Sequence, residues 1–330
     1  MARRSKEPVP SVDEQLVALE SLPAARAEQL ARLLQALNDR HYRIVAKAAR
    51  LAEDGLLYDL LPALLAAYPR FLDKPLKTDP SCLAKKAIAR ALVALDCDDT
   101  QFYTRGLQYR QPEPVWGGTR DTAAEVRSAC AMGLVATGHP RALVELTALL
   151  HDPEAEARFG AARAIGCGNP REAELLLRSK ALAGDAEPAV LGECFTGLLA
   201  VEPDESVGFV AGFLGHPDEA VKEQAALALG ESRLDAALPH LQQAWNEVLV
   251  GEELRRALLR AITAHRSENA FQWLLALVAA ARSAVAEEII ETLALYKHNA
   301  KLSQRLANVL TQRGEKQLVE LFEQLWGNAS

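Results

Sequence analysis

Apolar residues recur along most of the chain at spacings of three and four, the mark of helices that bury one face. The grouping itself repeats. "LLHDPEAEARFGAARAIG" (149–166) aligns without a gap to "FLGHPDEAVKEQAALALG" (213–230), and "LAGDAEPAVLGECFTGLL" (182–199) lies between them. An apolar position early in the second helix of each unit gives the series Ile44, Ala84, Val126, Ala157, Val190, Val221, Leu254 and Val285. From Val126 onward the intervals are 31, 33, 31, 33 and 31 residues, whereas the two earlier ones, 40 and 42, carry insertions. Four residues past each anchor stand Ala48, Ile88, Cys130, Ala161, Cys194, Ala225, Leu258 and Ile289. Eight past it stand Ala52, Leu92, Leu134, Ile165, Leu198, Leu229, Ile262 and Leu293. These positions share one helical face, and every one is apolar. The position five past the anchor is mostly alanine, as close helix crossings require. The pattern predicts an all-α chain of about eight helix pairs, with further helices near 299–312 and 315–326 closing the stack.

A polar signature accompanies the apolar one. Five residues before the anchor stand Asp39, Asp79, Asp121, Asp152 and Asp185, giving way to His216 and then to apolar residues. One after it, Lys85, Arg127, Arg158, Lys222 and Arg255 are basic. An Asp in the inter-helix turn suits the start of a helix, where free N–H groups and the dipole favour an acceptor. An Asp with a basic residue six later resembles the HEAT repeat, in particular its short bacterial and phycobilisome-lyase-type varieties. The resemblance covers roughly residues 24–297 and fades toward the C-terminus. It implies an α-α superhelix in which Asp and Arg form a hydrogen-bonded ladder between neighbouring repeats. Tetratricopeptide repeats fit less well, since their W-L-G-Y pattern is missing and the 31/33 alternation is not theirs. The expected organisation is an unstructured tail (1–10), a solenoid (11–298) with enlarged turns at 69–79 and 108–121, and capping helices (299–330).

The enlarged turns hold the candidate chemistry. "QYRQPEPVWGGTR" (108–120) puts Arg110, Glu113, Trp116, Gly117, Gly118 and Arg120 where other repeats have a tight turn. Equivalent turns of a solenoid line up along one edge, so this insertion and "YPRFLDKPLKTD" (68–79) are expected to adjoin. Insertions in repeat arrays often bind, and a Trp beside Arg and Gly on a rim suits a peptide or a planar ligand. A Trp filling a pocket of its own domain is the opposing expectation. Gly-Gly lacks the spacing and strand-to-helix setting of a phosphate loop. Asp121 and Arg127 occupy ladder positions and so read as structural, with Thr122 and Glu125 spaced as a capping box.

The resemblance also implies that second helices line a concave face. There Lys47, Arg50, Lys85, Lys86, Arg90 and Arg163 are expected to point outward, followed by Arg256 and Arg260 and then Glu287, Glu288 and Glu291. Such a groove runs from basic to acidic. It fits a protein or peptide partner with its own charge pattern better than a uniform polyanion.

Composition narrows the classes further. The net charge is −7, with residues 1–128 near +2 and the remainder near −9, which argues against a chain that coats nucleic acid. Five cysteines without a CxxC pair read as reduced core thiols in a cytoplasmic protein. The start "MARRSKEPVPSVDE" has no apolar stretch of signal-peptide type, and runs such as "WLLALVAAA" (273–281) are about half a membrane span. The seven histidines show no metal-ligand spacing, and no nucleophile elbow or Cys/His pair appears, so no metal, cofactor or catalytic residue is expected. The expected function is a non-enzymatic scaffold for a protein or peptide. The alternatives are a nucleic-acid-binding enzyme resembling HEAT-like DNA glycosylases and a subunit of a bilin lyase.

Overall fold

The computed structural model describes residues 11–247 and 252–327. The tail expected at 1–10 lies outside the described residues. The chain divides into two compact units, Met1–Glu172 and Ala173–Ser330.

The first unit holds α1 (Val12–Glu20), α2 (Arg26–Leu37), α3 (Tyr42–Asp54), α4 (Leu61–Ala67), α5 (Pro75–Thr78), α6 (Leu83–Ala94) and α7 (Thr100–Gln108). A hairpin of β1 (Pro112–Val115) and β2 (Gly118–Asp121) follows, then α8 (Ala124–Ala136), α9 (Ala142–Leu149), α10 (Ala155–Gly166) and the start of α11 (Pro170–Ala183). The second unit continues with α12 (Pro188–Val201), α13 (Pro203–Gly212), α14 (Glu219–Ser232), α15 (Ala237–Glu247) and α16 (Glu252–His265). It closes with α17 (Glu268–Ala280), α18 (Ser283–Leu293), α19 (Ala300–Arg313) and α20 (Lys316–Trp326). The architecture is all-α, and the last two helices fall where the closing pair was expected.

Second helices pack side by side: α3 on α6, α6 on α8 and α8 on α10 in the first unit, and α12 on α14, α14 on α16 and α16 on α18 in the second. The apolar register explains why. All the anchor, +4, +5 and +8 residues are buried except Val285, whose place in α18 is taken by Ala286. Small residues set the closeness. A methyl group at Gly160 would strike Ser128, and one at Gly230 would strike the backbone of Ala261.

The turn aspartates act as the start signals. Oδ1 of Asp39, Asp121, Asp152 and Asp185 each accepts the N–H two residues on, and Asp79 accepts from Ala84 and Lys85. His216 stands in for the Asp, its Nδ1 accepting from the Asp218 N–H at 3.1 Å. The expected capping box of Thr122 and Glu125 does not form. α8 has no side-chain cap, the Thr122 hydroxyl is drawn to Glu113 at 2.8 Å, and Glu125 pairs with Lys86. Cys82, Cys130 and Cys194 are buried free thiols, and burial pushes the latter two up to about 12. No described helix is long and apolar enough to cross a membrane.

Candidate binding site

The insertion at 108–121 folds as a two-stranded antiparallel hairpin. Val115 pairs with Gly118 across a two-residue turn, and Gly117 takes the left-handed conformation that turn needs (φ 85°). Pro114 and Pro112 pair with Thr119 and Asp121 at the alternate positions, where the strand offers its N–H outward. The outer edge of β1 therefore has no donor at either place, which blocks further strand pairing there.

Both sides of the hairpin base are fastened. On one side, Glu113 Oε1 accepts from the Ser81 N–H (2.6 Å), Gln111 Nε2 (2.8 Å) and the Thr122 hydroxyl (2.8 Å). Gln111 Nε2 also donates to the Asp79 carbonyl at 3.0 Å. The two enlarged turns thus adjoin, as their equivalent places in the repeat require. Ser81 and Cys82 hold the left-handed region beside this clamp, at φ 59° and 51°. On the other side, Arg127 donates to Asp121 (2.6 Å) and to Asp152 of the next repeat (2.9 Å). Arg110 joins them, 2.8 Å from Asp152 and 3.7 Å from Asp121. This is a ladder rung of the kind the resemblance implied.

The rungs vary along the chain. Lys85 pairs with Asp79 of its own repeat at 2.8 Å, with both side chains fully buried. Lys180, on the preceding helix, takes the role for Asp185, where the ladder position holds Leu191. The Arg158 guanidinium reaches the carbonyls of Asp152 and Pro153.

Burial pushes the carboxyls of Asp121 and Glu113 up, and hydrogen bonds more than reverse it. For Asp121 these come from the Gln111 and Ala123 N–H groups and Arg127; for Glu113, from Gln111, Thr122 and Ser81. Both end below their ordinary values.

The tip is the opposite of this base. Trp116 is wholly exposed, at 103% of its reference surface, so it fills no pocket among the described residues. Val115, Gly117, Gly118 and Arg120 are exposed beside it. Of the rim residues expected from sequence, Glu113 is consumed in holding the hairpin, and Arg110, half-exposed, is shared between the rim and the ladder.

The expected basic row on the second helices changes more. Lys85 does not point outward; its ammonium is buried against Asp79 and the Phe71 carbonyl, because the ladder position faces the interior. Lys47 lies 3.5 Å from Glu20, Lys86 2.8 Å from Glu125 and Arg90 3.2 Å from Glu53. Arg50 and Arg163 are exposed and make no ion pair among the described residues. That face of the first unit is a mosaic of both signs rather than a basic track.

One feature escaped the sequence reading. A cavity of about 240 Å³ opens between the end of α4 and α7, walled by Tyr68, Phe102 and Tyr109. Its signal was the aromatic content of "YPRF" and "QFYTR", which looks like ordinary helix packing until the neighbouring helices are placed.

A family model for HEAT repeats matches residues 177–248. No curated protein matches the chain. Solved structures it is similar to include an engineered protein, at 14% identity over 96% of this chain and 95% of that one, with a TM-score of 0.40. The complex of CpcE and CpcF of phycocyanin lyase from Nostoc sp. PCC7120 matches at 17% identity over 75% and 91%, with a TM-score of 0.36. Human deoxyhypusine hydroxylase in complex with glycerol matches at 17% identity over 87% and 96%, with a TM-score of 0.31. Residues 177–248 thus match HEAT repeats, and the apolar register of that segment is shared by the helix pairs that run from Ile44 to Leu293.

Proposed function

We propose that this helical repeat scaffold is non-enzymatic and seats a protein or peptide partner on the edge formed by the hairpin and the adjoining 69–79 turn. One observation carries the reading: a fully exposed Trp at the tip of a hairpin whose base is held from two sides. Tryptophan and arginine dominate the binding energy of protein interfaces, and a held loop loses little entropy when its tip is covered. In the polar cluster beneath, both carboxylates are engaged by Arg127, Arg110 and backbone N–H groups, which supports a holding role for Asp121, Arg127 and Asp152 rather than a chemical one. The mixed charge of the second-helix face favours a partner with its own pattern of charges over a polyanion.

The test is to place a photo-crosslinking residue at position 116 in the source cell, with the exposed position 312 as the control site. Discrete protein adducts from 116 that are missing from 312 are expected. Adducts that are the same from both sites, or missing from 116, would remove the hairpin from the binding surface. Trp116→Ala with Arg120→Ala should lower partner capture while leaving the melting temperature unchanged.

A further inference from the structure

We propose that the hairpin holds its partner by strand addition: an extended segment of a protein partner joins the outer edge of β2, antiparallel to it, with a large apolar residue opposite Gly118. This rests on the reading of the hairpin as the binding surface and adds how that surface binds.

The register decides which edge is open. Val115 pairs with Gly118 next to the turn, and at the base the Thr122 N–H donates to the Gln111 carbonyl at 3.0 Å. Ladder-bonded pairs therefore fall at 111–122, 113–120 and 115–118. Thr119 and Asp121 lie between them and turn their N–H and C=O groups away from β1. Asp121 displays this orientation, because its N–H donates outward to Glu154 Oε1 at 3.4 Å. That carboxylate sits on the edge as the carbonyl of a third strand would. Further out, Thr119 is exposed, and its N–H and C=O make no hydrogen bond among the described residues.

The two edges differ in kind. On β1 the outward places are Pro112 and Pro114, which have no N–H to offer. On β2, Gly117 and Gly118 leave the approach clear, since a methyl at either would meet nothing within 4 Å. A ribbon of two strands is the least stable sheet, and a third strand supplies main-chain hydrogen bonds to an edge already held in place. With Asp121 taken by Glu154 the open length is short. Antiparallel addition uses it best, because one incoming residue then bonds both the N–H and the C=O of Thr119.

Side chains fix the remaining chemistry. Val115 and Gly118 share a face, and Val115 is 48% exposed beside a residue with no side chain. A large apolar residue placed opposite Gly118 covers both. Charge does not choose the partner here. Arg110, Arg120 and Arg127 stand among Glu113, Asp121, Asp152 and Glu154, so neither sign prevails around the hairpin. Recognition falls to the main chain and the apolar residue, and binding should change little with salt.

The experiment pans a random dodecapeptide library on the full chain and counter-selects on Thr119→Pro. That change removes an edge N–H, as Pro114 does across the ladder, and takes no bond from within the hairpin. Its melting curve should match the parent's. Peptides that share one large apolar residue in a proline-free stretch are expected. A synthesised member should lose about tenfold or more in affinity on Thr119→Pro, yet bind Thr119→Ala normally, since alanine keeps the main-chain groups. N-methylation of the peptide should weaken binding at the residue facing Thr119 and be tolerated at both neighbours, whose N–H groups point away. This last readout decides the matter even where Thr119→Pro fails to fold. No enrichment, equal binding by Thr119→Pro, or tolerance of N-methyl groups throughout would overturn strand addition. So would a dimer of the chain that Thr119→Pro dissociates, which would make a second copy the occupant. Cross-links from position 116 that persist in Thr119→Pro would leave the hairpin as the surface but reject this mode. Cross-links missing from parent and variant alike would remove the surface itself.

Discussion

Arg127 shows how one residue can hold a repeat boundary. It is fully buried, yet it bridges Asp121 of its own repeat to Asp152 of the next. Removing it leaves the almost wholly buried Asp152 carboxylate with only the half-exposed Arg110 as its cation, so Arg127→Ala should cost about 3 kcal/mol of stability in urea unfolding, the low end for breaking a buried pair. A loss below 1 kcal/mol, about what exposed pairs contribute, would mean water reaches the cluster. The same cluster predicts a pH dependence. Asp121 and Glu113 sit below their ordinary values when folded, so each contributes stability that is fully present above the unfolded value, near ~4. That contribution is lost as pH falls through the folded values. The first unit should weaken as the pH drops below about 4, and Asp121→Asn should flatten that slope. An identical acid profile for parent and variant would assign the loss to other carboxyls.

At the scale of elements, the second helices lie close enough that single atoms decide stability. Gly230 in α14 faces the backbone of Ala261 in α16, which cannot retreat as a side chain would, so Gly230→Ala should destabilise by about 1–3 kcal/mol or more. Gly208, in α13, has open space where a methyl would go. There the same change should gain up to about 1 kcal/mol through the helix preference of alanine. Calorimetry on both variants checks the pair, and equal effects would contradict the crossing geometry. The crossings were legible beforehand because Ala recurs five residues past the anchors, whereas Gly160 and Gly230 hold no common place in that register. The hairpin was not, since "PEPVWGG" has neither the alternation of a half-buried strand nor a two-residue turn such as Asn-Gly. Its strands exist because Glu113 and Asp121, eight residues apart, are gripped by different repeats.

For the whole molecule, charge placement matters more than net charge. The second-helix face of the first unit pairs Lys47, Lys86 and Arg90 with carboxylates, leaving Arg50 and Arg163 as its outward cations of the six expected there. Few phosphates would find partners, so duplex DNA binding should be weak and nearly independent of salt between low and physiological ionic strength. A steep log–log slope in a filter-binding titration would revive the glycosylase-like alternative. Exposed Arg120, without an ion pair among the described residues, stands instead on the enlarged turn of repeat 3, where partner recognition is proposed.

The amino-acid order alone determined the helix pairs, their register and the ladder positions. Periodicity is local, and burial of one helical face needs only the spacing of apolar residues along a single segment. It also marked 108–120 as unlike its neighbours. Tertiary structure decided which charges face inward, and in particular that Lys85 is buried while Arg50 is exposed. It also decided that Trp116 stands free and that Tyr68 and Phe102 frame a cavity. Those outcomes depend on residues about 30 or more apart in the chain meeting across a repeat boundary, as Ser81 meets Glu113. Spacing along one helix carries no record of what the next helix presents.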